Sequence, residues 1–223
     1  FGKLRSQATI WMVRADNPAN TLADLVGQKV SNNGPGGSQI VWTMIARELH
    51  DLDLRYDGGD FEWIASGGDA IGLEWVLNGD VAATMCNYTS CADALANGLV
   101  KVLYDGRTAG QVYSEDVMGG TVEGAANLWH NTLVARKDWY DTHPNEVAFV
   151  LELFQRAMDA WNADPGAILI EYAADMGLDP EADAAVLNYL STTAVDFDPV
   201  LDSVYLTQAD IDAERQIVIS LQG

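Results

Sequence analysis

Residues 34–39, GPGGSQ, join an apolar strand pattern (KVSNN, 29–33) to a helix pattern that starts near Ser38. The chemistry on offer is anion or polar-head binding. Gly36 and Gly37 let the backbone approach a ligand, and Ser38 adds a hydroxyl and an amide at a helix start whose first N–H groups have no partner within the helix. No Lys follows the glycines, so this is not a Walker loop. The same turn can equally be an unoccupied connector. Ser66–Asp69 leads into a second helix start, DAIG, which reads as an N-cap without ligand contact.

Other reactive residue types are sparse. Cys86 and Cys91 are the only cysteines and have no second Cys or His pair at ligand spacing, so no metal site is expected. A disulfide between them and a pair of unbonded thiols both remain open. His130 has no Ser, Cys or Lys nucleophile at a recognised spacing and reads as structural. Thirty-three acids make paired carboxylates easy to imagine, and abundance alone explains them. Trp11 and Trp129 lie on apolar strand patterns, Trp129 followed by Asn131. Either indole could stack on an organic ligand, although a Trp in such a strand is more often core.

These residues need a scaffold, and the hydropathy pattern supplies one. ATIWMVR (8–14), KVSNN, FEWIA (61–65), DVAATMCN (80–87) and LVKVLYD (99–105) read as strands, separated by short helices closed at Gly27 and Gly79. The alternation argues a doubly wound α/β layer of parallel strands, with ligands outside the carboxyl ends. Residues 106–126 read as irregular. NLWHNTLVARK (127–137) is a return strand, and beyond it only helices are expected. One starts at Pro144 with a stripe through Val147, Val150, Leu151, Phe154 and Met158. The last is capped by Thr207, with a stripe through Ile211 and Val218. The expected organisation is a crossover strand in 1–14, an α/β lobe in 15–127, and a return strand with a helical remainder of the other lobe in 128–223.

Net charge is −21, which excludes nucleic acid and anionic membranes as natural partners. The acids concentrate late: from Asp138 onward there are seventeen against two arginines. No apolar run approaches the ~18 residues of a membrane span. Residues 1–20 show no basic-then-apolar leader pattern, so localisation is not readable from them.

The segment NTLADLVGQKVSNNGPGGSQIVWTMIARELHDLDL resembles the opening of the second lobe in type II periplasmic solute-binding proteins, in the group of nitrate, taurine, alkanesulfonate and thiamine-precursor binders. GGDAIGLEWVLNGDVAATMCN, NTLVARKDWYDTHPNEV and YLTQADIDAE resemble that group's later segments in the same order. The resemblance implies a solute-binding protein, not an enzyme, without cofactor or metal. It implies an extracytoplasmic or periplasmic location, an ABC importer permease as partner, and a monomer that closes about a hinge. It also implies that Gly36, Gly37, Ser38 and Gln39 hold the ligand's head, that Asn87 and Tyr88 project into the cleft, and that Trp11, Trp129 and Asn131 line the hinge. One departure stands out: the first half of lobe 1 has no counterpart ahead of ATIWMVR, so the sequence reads as a fragment of such a protein. Enzymes on the same scaffold, the thiamine-pyrimidine synthases, use a Cys-rich motif and a pyridoxal phosphate lysine; neither motif is found here. A sensor would need a signalling module, which is likewise absent from the sequence.

Self-repulsion of the acidic surface should make the protein more stable in molar salt, where the Debye length falls from ~10 Å at 0.1 M to ~3 Å at 1 M. The melting temperature is expected to rise as potassium chloride is added; a flat or falling curve would count against it.

Overall fold

The computed structural model describes all residues except 7–8, 35–38, 121, 123–128, 197–199 and 222–223, and the side chains of these except at 5–6, 39–42 and 129–130. In chain order the strands are β1 (Gly2–Ser6), β2 (Thr9–Arg14), β3 (Lys29–Asn32), β4 (Glu62–Ala65), β5 (Ala83–Asn87), β6 (Val100–Asp105) and β7 (Trp129–Leu133). The α-helices are α1 (Gln39–His50), α2 (Asp69–Asn78), α3 (Ala92–Ala96), α4 (Ala109–Asp116), α5 (Lys137–Thr142), α6 (Pro144–Ala163), α7 (Pro165–Glu171), α8 (Ala184–Asp196) and α9 (Gln208–Ser220). The chain forms two compact units, Phe1–Gln7 with Asn127–Glu214, and Ala8–Ala126 with Arg215–Gly223.

The second unit carries a five-stranded sheet in the order β4-β3-β5-β2-β6. Strand β3 pairs in parallel with β4 and β5, as the alternating pattern predicts. Strand β2 differs from expectation. The alternation argues a layer of parallel strands, whereas β2 is an inner strand antiparallel to both β5 and β6. The reason lies in its composition: Ile10, Trp11, Met12 and Val13 are each 1% exposed or less, so both faces of the strand are covered and only an inner position suits it. Trp11 is the hub, meeting Phe61, Trp63 and Tyr104 edge-on at 5.9, 5.8 and 6.2 Å. Burial, with the Asp105 charge adding to it, pushes the Tyr104 hydroxyl up to about 12.

Helix α2 lies against this sheet at a glycine. A Cβ on Gly72 would run into the Thr84 hydroxyl on β5 and lie 3.2 Å from the Ser31 hydroxyl on β3. Those two buried hydroxyls hydrogen-bond each other at 2.8 Å. The helix ends at Gly79, whose φ of 82° suits a left-handed C-cap. The stretch expected to be irregular after residue 105 contains α4 instead. The Asp105 carboxylate accepts from Arg107 N–H at 3.0 Å and starts the turn, while Ala109 and Tyr113, one helical turn apart, are buried. Tyr113 also hydrogen-bonds Ser220 through its hydroxyl at 3.1 Å.

In the first unit, β1 pairs antiparallel with β7, a strand that its short, charge-bearing GKLRS sequence does not announce. The α6 stripe falls as expected, with Val147 and Met158 buried. Met158 forms a core with Leu201 and Val204, against which Leu4, Leu133, Leu151 and Phe154 pack. Among the described residues, strand pairing beyond β7 is limited to an isolated bridge from Gly2 to Tyr205. Thr207 does cap α9, through the Asp210 carboxylate. Its buried stripe runs through Ala213 and Ile217, however, while Ile211 is 39% exposed. The cause is an ion pair of Asp210 with Lys3 at 2.6 Å, which turns Asp210 inward and Ile211 out.

Two acids one turn apart on α9 therefore differ. Burial raises Asp210, but hydrogen bonds from Lys3 and Thr207 outweigh it, leaving the carboxyl below its ordinary range. Glu214 is pushed up to about 7 by burial, and its Oε2 is shielded from solvent without a hydrogen-bond partner. A raised folded-state value means that the Glu214 contribution is complete below its unfolded value near 4.5 and is lost as pH rises through about 7. Glu214→Gln is expected to raise the melting temperature at pH 8 and leave it unchanged at pH 4.5, as followed by circular dichroism. Gly72→Ala should cost about 1–3 kcal/mol by overpacking, read as a lower urea midpoint with an unchanged slope.

Candidate functional site

Strands β3, β4 and β5 of the second unit end side by side, with Asn32, Ser66 and Asn87 at or just beyond their ends. Asn32 ends β3 and is 1% exposed; its Oδ1 accepts from Gly34 N–H at 2.9 Å and from the Tyr56 hydroxyl at 3.2 Å. Gly34 has a φ of 122°, a conformation that favours glycine, so the chain turns off β3 under a side-chain clamp. The Asn32 carbonyl oxygen accepts from both the N–H and the hydroxyl of Ser66, which tie the end of β4 to β3 at 2.8 and 3.0 Å. Tyr56 stacks on Trp63 with ring centroids 5.8 Å apart.

Asp69, the first residue of α2, joins β3 to β5. Its Oδ1 accepts from Asn33 Nδ2 at 3.1 Å, and its Oδ2 accepts from the Asn87 backbone N–H at 3.0 Å and from Asn87 Nδ2 at 3.1 Å. An acidic residue at a helix start is also favoured by the helix dipole. Beyond Asn87, a disulfide between Cys86 and Cys91 closes the turn into α3, with Cα atoms 6.8 Å apart, so both cysteines of the chain are bonded. The Arg107 guanidinium lies 5.7 Å from the centroid of the Tyr88 ring and forms a bidentate pair with Asp105.

The residues singled out from sequence fare differently. Asn87 enters the Asp69 network at the carboxyl end of β5. Tyr88, beside it, is only 2% exposed and packs under Arg107. Trp11, considered as a ligand wall, has no exposed surface and belongs to the aromatic core. Gln39 opens α1, while Gly36, Gly37 and Ser38 lie outside the described residues. Asn131 is exposed on β7 and pairs with Arg5; Trp129 pairs with Ser6, its side chain lying outside the described residues, as does that of His130. The sequence reading gave Asp69 no ligand role and passed over Asn32, Asn33 and Tyr56. The available signal was the pair of asparagines at the carboxyl end of β3, where an α/β sheet binds its ligands.

Comparison with solved structures gives this arrangement its context. No family model matches the sequence, and no curated protein sequence matches it. The periplasmic aliphatic sulphonate binding protein SsuA from Escherichia coli superposes with a TM-score of 0.67 at 19% identity, covering 99% of this chain and 62% of that one. The alkanesulfonate-binding protein SsuA from Xanthomonas axonopodis pv. citri, bound to MOPS, does so with a TM-score of 0.67 at 17% identity, covering 99% and 64%. The periplasmic sulfonate-binding protein SsuA from Methylobacillus flagellatus KT gives a TM-score of 0.59 at 13% identity, covering 99% and 62%. The fold is that of periplasmic solute-binding proteins. This α/β chain therefore has the architecture that its motifs resemble, and it spans less than two thirds of the length of these solute-binding proteins.

Proposed function

We propose that the chain serves as the solute-capturing part of an extracytoplasmic binding protein, taking up a small anionic or polar organic solute for an ABC importer and performing no chemistry on it. The observation that carries this reading is the convergence of Asn32, Asn33, Asp69 and Asn87 at the carboxyl ends of β3 and β5, on a fold shared with sulfonate-binding proteins. Arg107 is occupied by Asp105, so an anionic head would be held by neutral donors and by backbone N–H groups. In this reading the head sits at Gly36–Gln39, and closure about a hinge excludes water from it. Bonded cysteines suit an oxidising compartment and supply no thiol for catalysis.

Calorimetric titration with a series of short alkanesulfonates tests the reading. Saturable binding is expected, without turnover of the sulfonate. Ser38→Ala should cost about 0.5–1.5 kcal/mol, a two- to tenfold loss of affinity, by removing one donor. Gly37→Val should abolish binding in a protein that still unfolds cooperatively. If Gly37→Val binds as tightly as the wild type, the turn is only a connector.

A further inference from the structure

We infer that the open cavity between α1 and the loop leading to β4 is a second binding site, for a small monocarboxylate with an apolar body such as an aryl acid. It stands apart from the solute-capturing reading. Of the residues that line the cavity, only Tyr56 touches the strand-end network, through its hydroxyl.

The cavity has a volume of about 250 Å³ and is lined, among the described residues, by Thr43, Met44, Arg47, Leu54, Arg55 and Tyr56. Away from the arginines the lining is largely apolar: Leu54 is buried, and the Thr43 hydroxyl already donates to the Met85 sulfur at 3.4 Å. The Tyr56 ring is fixed, since it stacks on Trp63 and its hydroxyl donates to Asn32 Oδ1. A wall held in place before binding spares a ligand the cost of ordering it. At the packing density of protein interiors, the space suits about ten to twelve non-hydrogen atoms, the size of a phenyl ring with a short acidic arm.

The charge of the lining selects the acid. The chain carries 33 acids against 12 basic residues, yet this lining holds two arginines and no carboxylate. Each guanidinium is engaged along one edge, Arg47 through Nε and Nη2 with Glu48, and Arg55 through Nε and Nη2 with Asp53. Arg47 Nη2 also donates to the Leu221 carbonyl oxygen at 3.3 Å, which tethers it. The Nη1 groups take part in neither ion pair. Arginine has five N–H donors in a planar fork, so each keeps a second edge for an anion while its first stays paired. Glu48 and Asp53 offset part of the positive charge, so the site suits one carboxylate and not two. The apolar lining supplies the rest of the affinity by taking the ligand's body out of water.

The test titrates phenylacetate, 2-phenylacetamide and acetate into the purified chain at low salt, followed by calorimetry. Phenylacetate is expected to bind saturably at one site, at least tenfold more tightly than either the uncharged amide or the acid without an apolar body. Arg55→Gln, at a side chain that is 67% exposed, should bring phenylacetate down to the affinity of the amide. Met44→Trp should abolish binding by filling the cavity, and Arg55→Gln decides alone if that variant fails to fold. Gly37→Val, which alters the solute turn, should leave phenylacetate binding unchanged. Absence of saturable binding, equal affinity for phenylacetate and its amide, or undiminished binding in Arg55→Gln overturns the inference. Loss of phenylacetate binding in Gly37→Val also overturns it, because the acid then sits at the solute turn. None of these outcomes bears on whether alkanesulfonates bind, so the two readings fail separately.

Discussion

The close approach of α2 to the sheet at Gly72 is the constraint on which the polar end of the second unit depends. Only a residue without a Cβ lets the helix rest on the Ser31–Thr84 hydroxyl pair. Asp69 lies three residues earlier, on the same helical face, so the distance that Gly72 permits is the distance at which Asp69 reaches Asn87 and Asn33. The packing contact at Gly72 and the Asp69 hydrogen bonds are thus parts of one geometry. A methyl group at Gly72 would lift the helix from the core and draw the carboxylate away from the strand ends in the same movement.

Buried polar groups organise the sheet on which this rests. Ser31 and Thr84 satisfy each other inside the β3–β5 pair, and the Asn32 carbonyl oxygen and side chain collect donors from Ser66, Gly34 and Tyr56. Satisfied in this way they fix register, because a one-residue slip would turn each of them to the wrong face. Trp11 on β2 and its aromatic neighbours, among them Trp63 on β4 and Tyr104 on β6, tie strands from both edges of the order by apolar packing. The sheet is thus specified by hydrogen bonds near its carboxyl ends and by shape around Trp11.

Much of this was legible in the sequence, for identifiable reasons. Short apolar runs between capped helices fix the α/β class, and the α6 stripe follows from spacing alone. Strand direction is not encoded in a strand's own hydropathy, so the antiparallel placement of β2 could not be read from ATIWMVR. Strand β1 depends on its partner β7, a contact across most of the chain, and α4 follows a short turn that the Asp105 side chain caps. The site divides in the same way. Asn87 was visible at a strand end, whereas its hydrogen bonds to Asp69 appear only when helix and strand are brought together.

Charge placement follows the rule seen in miniature on α9. The chain carries 33 acids against 12 basic residues, so few carboxylates can have a cation. Where a cation is present inside the fold, as Lys3 is for Asp210, the carboxyl stays below its ordinary range despite burial. Where only burial acts, as at Glu214, it rises toward neutrality. Asp69 represents a third solution, in which neutral N–H groups from two strands replace the missing cation. The Asp69 carboxylate thereby acts as a directional element that orders the Asn33 and Asn87 amides around it.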